Sequence, residues 1–244
     1  MNKVLKIITI IGLIVLNQSC NQNNIIEINH FADGQKATSY GKNGIVDSII
    51  IEKGNIKISK FISKSNEKDN NFFKVYFYDT KGNVTSEGDM NHNNKVGNWL
   101  YFKNQQLIKK EEYFRICEKN VINQVWQYDS KNKIDLNKSS FYTYKFTDTI
   151  IEKENLKVLK IKFSPSKLIE VDKIRFYTSS KIQGDFCNLN NLKLIDIPKN
   201  KQNEYEIAFE RDDKFDTIKG YFTEEFRVNS KSKEKYTLVK IPFK

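Results

Sequence analysis

Apolar residues recur at every second position over short runs through most of the chain. Examples are Ile56/Ile58, Tyr142/Tyr144/Phe146, Leu159/Ile161/Phe163, Tyr205/Ile207/Phe209 and Val239/Ile241/Phe243. Alternation of this kind sends one set of side chains to a buried face and the other to water, the mark of a half-buried strand. No comparable run follows the helical period beyond residue 44. The predicted fold class is all-β. Residues 20–44 are polar, rich in Asn and Gln and without alternation, and are expected to form a linker.

Between residues 45 and 138 the alternation carries a repeat. An aromatic pair two residues apart is followed by an aliphatic residue: Tyr76 and Tyr78 lead to Val84, Trp99 and Tyr101 to Leu107, Trp126 and Tyr128 to Ile134. The pairs start 23 and then 27 residues apart, a period typical of stacked supersecondary units. A polar turn lies inside each unit, at 79–83, 103–105 and 130–132, so each unit reads as a β-hairpin. Spacing of two puts both aromatics of a pair on one face, and stacked hairpins are expected to align a Tyr/Trp ladder across the sheet.

This stretch resembles the MORN-type repeats of bacterial envelope proteins. The resemblance rests on Gly97-Asn98-Trp99-Leu100-Tyr101-Phe102-Lys103-Asn104, on the copy Gln124-Val125-Trp126-Gln127-Tyr128, and on the link Ser86-Glu87-Gly88-Asp89. It implies an antiparallel repeat sheet of stacked β-hairpins with a usable face, and a protein-interaction or antitoxin-like role. Trp99, Tyr101, Trp126 and Tyr128 are the candidate binding residues, since interface energy concentrates on exposed aromatic clusters. The competing reading of the same side chains is core.

From residue 139 to 244 the repeat stops while the strands continue. Runs at 141–147, 156–163, 173–178, 192–197, 204–210, 217–228 and 236–243 make about seven strands. That number and spacing predict an immunoglobulin-like β-sandwich.

The first 19 residues stand apart. Lys3 and Lys6 precede an apolar run, Ile7 to Leu16, in the order of a secretory signal peptide. As a helix this run would extend about 15 Å, half of a hydrocarbon core of roughly 30 Å, so it is read as a removed leader and not as a membrane span. The segment resembles the lipobox of bacterial lipoproteins, with Leu16 as the apolar position, Ser19 as the small one and Cys20 as the residue that receives lipid. The resemblance implies a protein held to the membrane through lipid on Cys20, in the cell envelope outside the cytoplasm (periplasm or outer membrane). Two acyl chains suffice for stable anchoring where one does not.

Charge changes this picture little. The net charge of +11 becomes +9 once Lys3 and Lys6 leave with the leader. Most of it is lysine alternating with apolar residues along strands, as in Leu159-Lys160-Ile161-Lys162-Phe163. A nucleic-acid binder needs a clustered basic face, and none is expected; such lysines form a solvated face that also guards edge strands. Cys117 and Cys187 remain after lipidation. An oxidising envelope permits a bridge between them, but they fall in different predicted domains, which favours free buried thiols.

Candidate chemistry is sparse. The chain has two histidines, His30 and His92. Asp89 to Leu100 starts like a calcium loop, then places Asn94 and Leu100 where glycine and glutamate belong. Asp212, Asp213 and Asp216 read as a solvated loop. No nucleophile elbow or phosphate-cradling glycine loop occurs. Glu111-Glu112 and Glu224-Glu225 are adjacent on β patterns and so point to opposite faces. Neither a catalytic residue, a metal site nor a cofactor is expected. The expected function is a non-catalytic cell-envelope lipoprotein that binds or scaffolds a protein, a glycan or another envelope component. An antitoxin-like immunity partner is the alternative, and an envelope-polymer hydrolase is the least favoured.

Overall fold

The computed structural model describes residues 24–64, 72–117, 119–151, 154–167, 171–179, 182, 186–188, 195–197, 199–201, 204–210 and 217–242. The leader, Cys20 and the three aspartates at 212, 213 and 216 lie outside them. The fold is all-β and its sheets are antiparallel. Nine strands occupy one sheet in sequence order: β1 (Asn24–His30), β2 (Gln35–Lys42), β3 (Ile45–Lys53), β4 (Ile56–Ser63), β5 (Phe72–Tyr78), β6 (Val84–Asn91), β7 (Asn94–Lys103), β8 (Gln106–Ile116) and β9 (Lys119–Gln127). The chain divides into two compact units, Met1–Val84 and Thr85–Lys244.

The predicted hairpin turns are present. In the first, the Asp79 carboxylate accepts hydrogen bonds from the backbone N–H of Lys81 at 2.8 Å and of Asn83 at 2.9 Å. Asp129 repeats the device, with Lys131 at 2.8 Å and Lys133 at 2.9 Å. The middle turn instead uses Asn104 and Gln105 in the left-handed region, at φ 51° and 64°, which matches the twist of the strands it joins. Asp89 to Leu100, the failed calcium loop, is the β6–β7 hairpin, with His92 at its tip.

Residues 24–42, read from sequence as linker, contain two strands. The correction has a simple cause. Every residue of β1 is exposed, so burial imposes no alternation on it. In β2 the buried positions are the small residues Ala37, Thr38, Ser39 and Gly41, three of them consecutive, so their burial leaves no period-two apolar pattern. Hydrophobic periodicity reports burial of a face, and neither strand offers that signal.

In the second unit, two further sheets follow. One has the order β10 (Phe141–Ile151), β11 (Glu154–Ser164), β15 (Glu204–Glu210), β14 (Lys199–Lys201); the other β13 (Ile195–Ile197), β12 (Val171–Thr178), β16 (Thr217–Val228), β17 (Lys231–Pro242). Both supply the inward residues of one core, among them Tyr142, Leu159, Ile161, Phe163 and Tyr205 from the first and Phe176, Phe222, Val239 and Ile241 from the second. Two sheets around one apolar layer make a sandwich. Phe222 lies at its centre, with the rings of Phe163 and Phe176 each 4.6 Å away and that of Tyr205 at 5.3 Å.

Cys117 and Cys187 are joined as a disulfide, their Cα atoms 5.0 Å apart. This corrects the expectation of free thiols. The sequence boundary at residue 139 had separated the two, whereas both belong to the second compact unit. Both are exposed, and the bridge ties the end of β8 to the β12–β13 connection. Beneath it Phe114 stacks on Phe186, and Ile182, Tyr221 and Leu238 complete a small second core.

Candidate functional site: the two faces of the β7–β9 hairpins

Register decides what each candidate residue can do. Trp99 pairs with Glu111, which pairs with Val125; Tyr101 pairs with Lys109, which pairs with Gln127. These rows share one face. Leu100 pairs with Lys110, which pairs with Trp126, and this row belongs to the other face. The two tryptophans therefore point in opposite directions, and the expected ladder does not run from Trp99 to Trp126.

The cause is one residue. Toward the β8–β9 turn, Tyr113 pairs with Ile122 and Phe114 with Val121; past Glu112 and Gln124 the register has slipped by one, leaving Asn123 unpaired between them. The outer register, continued inward, would set Trp126 against Lys109 on the Trp99 face. A β-bulge inverts it, because a slip of one residue turns every following side chain over.

Asn123 is itself put to use by the bulge. Its side chain is 2% exposed and exchanges two hydrogen bonds with the backbone of Leu238 on β17. The Leu238 N–H donates to Oδ1 at 2.6 Å, and Nδ2 donates to the Leu238 carbonyl at 2.9 Å. Nδ2 also donates to Glu112 Oε2 at 2.9 Å. Gln124 donates to the same carboxylate oxygen at 2.6 Å and accepts from the Tyr142 N–H at 2.8 Å. Trp126 packs on Phe141 with ring centroids 5.7 Å apart, under the Lys110 ammonium at 4.3 Å. The Trp126 face is thus occupied by the C-terminal sheets of its own unit.

On the opposite face Trp99 is fully buried. Gly88 makes room for it, since a Cβ there would lie 2.3 Å from the indole, and the indole N–H donates to the Asp89 carbonyl at 2.9 Å. Around it stand Lys95, Tyr101, Lys109, Glu111 and Tyr113. The Tyr101 and Tyr113 hydroxyls donate to Glu111 Oε2 at 2.5 and 2.9 Å, and Lys109 Nζ lies 2.9 Å from Oε1. Lys95 Nζ donates to the Tyr101 hydroxyl at 2.9 Å and sits 4.3 Å from the centre of Trp99. Lys109 lies 4.1 Å above the Tyr101 ring.

Titration follows from this packing. Burial, then the Glu111 hydrogen bond, raises the Tyr101 phenol far above its usual range, and burial raises Tyr113 as well. Burial pushes Glu111 upward, but the hydrogen bonds from Tyr101, Lys109 and Tyr113 outweigh it and hold the carboxyl below its usual value. Desolvation lowers Lys95, against the pull of Glu111. The cluster therefore keeps its phenols as neutral donors and its carboxylate ionised. It presents the half-buried Lys95 and Lys109 side chains over aromatic rings.

Of the four candidates, then, Trp99 is core, Trp126 is half-buried against Phe141, Tyr101 is half-buried within the polar cluster, and Tyr128 is half-buried where it bridges to Ile134 across the last turn. Lys95, Lys109 and Tyr113 were not singled out from sequence; only the strand register gathers them. Glu111 and Glu112 occupy opposite faces, as alternation requires. Beside the disulfide a cleft of about 320 Å³ is lined by Ile116, Phe186, Tyr221, Tyr236, Leu238 and the two cysteines, a lining without carboxylates. Among the described residues no three His, Cys, Asp or Glu side chains gather as a metal site would require. No family model matches the chain, and no curated protein or solved structure matches it either.

Proposed function

We propose that the chain is a non-catalytic lipoprotein of the cell envelope, anchored through lipid on Cys20, which binds or scaffolds a protein or another envelope component. The observation that carries the location is the Cys117–Cys187 disulfide between two exposed residues. Such a bridge persists in oxidising compartments and is rare in a reducing cytosol, and it agrees with an export leader that ends just before Cys20. The recognition face is the lysine–tyrosine cluster over Trp99, whose ammonium groups suit a partner rich in carboxylates or hydroxyls.

Intact-mass measurement of the protein extracted from its native membranes tests the anchor. The expected species begins at Cys20 and carries a diacylglyceryl thioether; a species retaining Met1, or one with an unmodified thiol at Cys20, overturns it. For the binding face, envelope components crosslinked to the wild-type chain are compared with those crosslinked to Lys95→Glu/Lys109→Glu. At least a tenfold loss of one component is expected, and identical capture removes this face from consideration.

A further inference from the structure

Three exposed isoleucines lie at one end of the first unit, while Ile28 lies farther along β1 and Ile56 at the other end. Ile25 and Ile26 lie in the first three residues of β1, and Ile45 opens β3; they are 57%, 39% and 58% exposed. Register places them together, since Asn24 pairs with Gly41 and Ile45 with Lys42. Gly41 lets Ile26 lie against the start of β3: a Cβ there would sit 2.8 Å from Ile26 Cδ1 and 1.9 Å from the Ile45 carbonyl oxygen. Between β2 and β3 the chain turns through Asn43 and Gly44, both in the left-handed region at φ 52° and 76°, and the exposed Lys42 stands beside the isoleucines.

We infer that this end of the hairpin sheet rests on the lipid bilayer, with Ile25, Ile26 and Ile45 in the interface and Lys42 beside anionic headgroups. The inference rests on the proposed lipid at Cys20. Four peptide units separate Cys20 from Asn24, and at roughly 3.3–3.6 Å each they reach no further than about 14 Å. The start of β1 is therefore held within that distance of the headgroup layer. Apolar side chains so placed gain by leaving water, and a lysine beside them is attracted to anionic lipid.

The other end of the same strands is an internal control. Phe31 and Ile56 are also exposed, at 51% and 44%, but they lie about 25 Å away along the strands. Hydrophobicity does not distinguish the two ends, whereas the tether does.

The test uses the full acylated chain in vesicles of phosphatidylethanolamine and phosphatidylglycerol, with a benzoylphenylalanine photocrosslinker replacing Ile45 or, in a second protein, Ile56. Lipid crosslinking at 45 should exceed that at 56 at least fivefold, and Ile25→Glu/Ile26→Glu should lower the yield at 45 at least threefold. Equal yields at the two positions, or a product at 45 that is a second copy of the chain, overturn the inference. Flotation of the same vesicles separates the two readings. A chain that floats but crosslinks equally refutes only the docked end, and one that does not float refutes the anchor and the docked end together.

Discussion

The segments around Trp99 and Trp126 share a Trp-x-Tyr spacing and sit two strands apart in one sheet, yet they meet different fates. Trp99 is sealed under Gly88 and ringed by lysines, phenols and a carboxylate. Trp126 turns to the other face and packs on Phe141. Each has an ammonium 4.3 Å from its ring centre, Lys95 in one case and Lys110 in the other, so the immediate partner does not explain the difference. The bulge at Asn123 does. A motif fixes which residues share a face within a strand, but pairing between strands fixes which face that is.

The largest expected effect comes from the sealed copy. Trp99→Ala removes a fully buried ring and should cost about 4 kcal/mol, in the range for large aromatic truncations. Trp126→Ala, at a half-buried position, should cost about half as much. Urea titrations of the two variants measure this directly, and equal losses would end the claim that one copy is core and the other seam.

Asn123→Ala comes next, at about 3 kcal/mol. It leaves the Leu238 N–H and carbonyl without their Asn123 partners and takes one donor from Glu112, and unmet buried polar groups cost about 1–3 kcal/mol each. A loss below about 1 kcal/mol would show that the bulge is not what pins β9 to β17. Gly88→Ala should follow at about 2 kcal/mol, since forcing a methyl into a packed site typically costs 1–3 kcal/mol. Near-ultraviolet circular dichroism of the Trp99 band should change in step, and an unchanged band with unchanged stability would mean that the indole has room to move.

The sequence-based reading recovered what alternation can encode. Each of the seven runs beyond residue 139 holds a described strand, because inward positions such as Leu159, Ile161, Phe163, Val239 and Ile241 are large and apolar with lysines between them, while the three-residue β14 carried no run. Hairpin turns were legible as the polar stretches 79–83, 103–105 and 130–132, whereas the Asp79 and Asp129 carboxylates that close two of them emerged only with the structure. Four things were not legible. β1 is exposed throughout and β2 buries only small residues, so their composition looks like a tether. The Cys117–Cys187 pair depends on a domain boundary that alternation cannot locate. The side of Trp126 depends on Asn123, an ordinary polar residue until its register is known, and the polar cluster joins residues from two strands that no local spacing links.

That cluster supplies the smallest and most specific test. Glu111 has its folded pKa held below the ordinary value of 4.5, so its contribution to stability is present above about that pH and is lost as pH falls through the folded value. Glu111→Gln should therefore lower stability by about 1 kcal/mol at pH 7, chiefly through its charged contact with Lys109. The gap between variant and wild type should narrow as the medium is acidified below pH 4.5. Tyr101 and Tyr113 have raised values, so their contribution has the opposite sense: it is complete below pH 10 and declines above it. Urea midpoints of both proteins at pH 7, 5 and 3.5 decide the matter. A gap that stays constant into acid would mean that Glu111 is not the ionised centre of this face, and the Trp99 side would then be, like the Trp126 side, a packing surface whose charge is incidental.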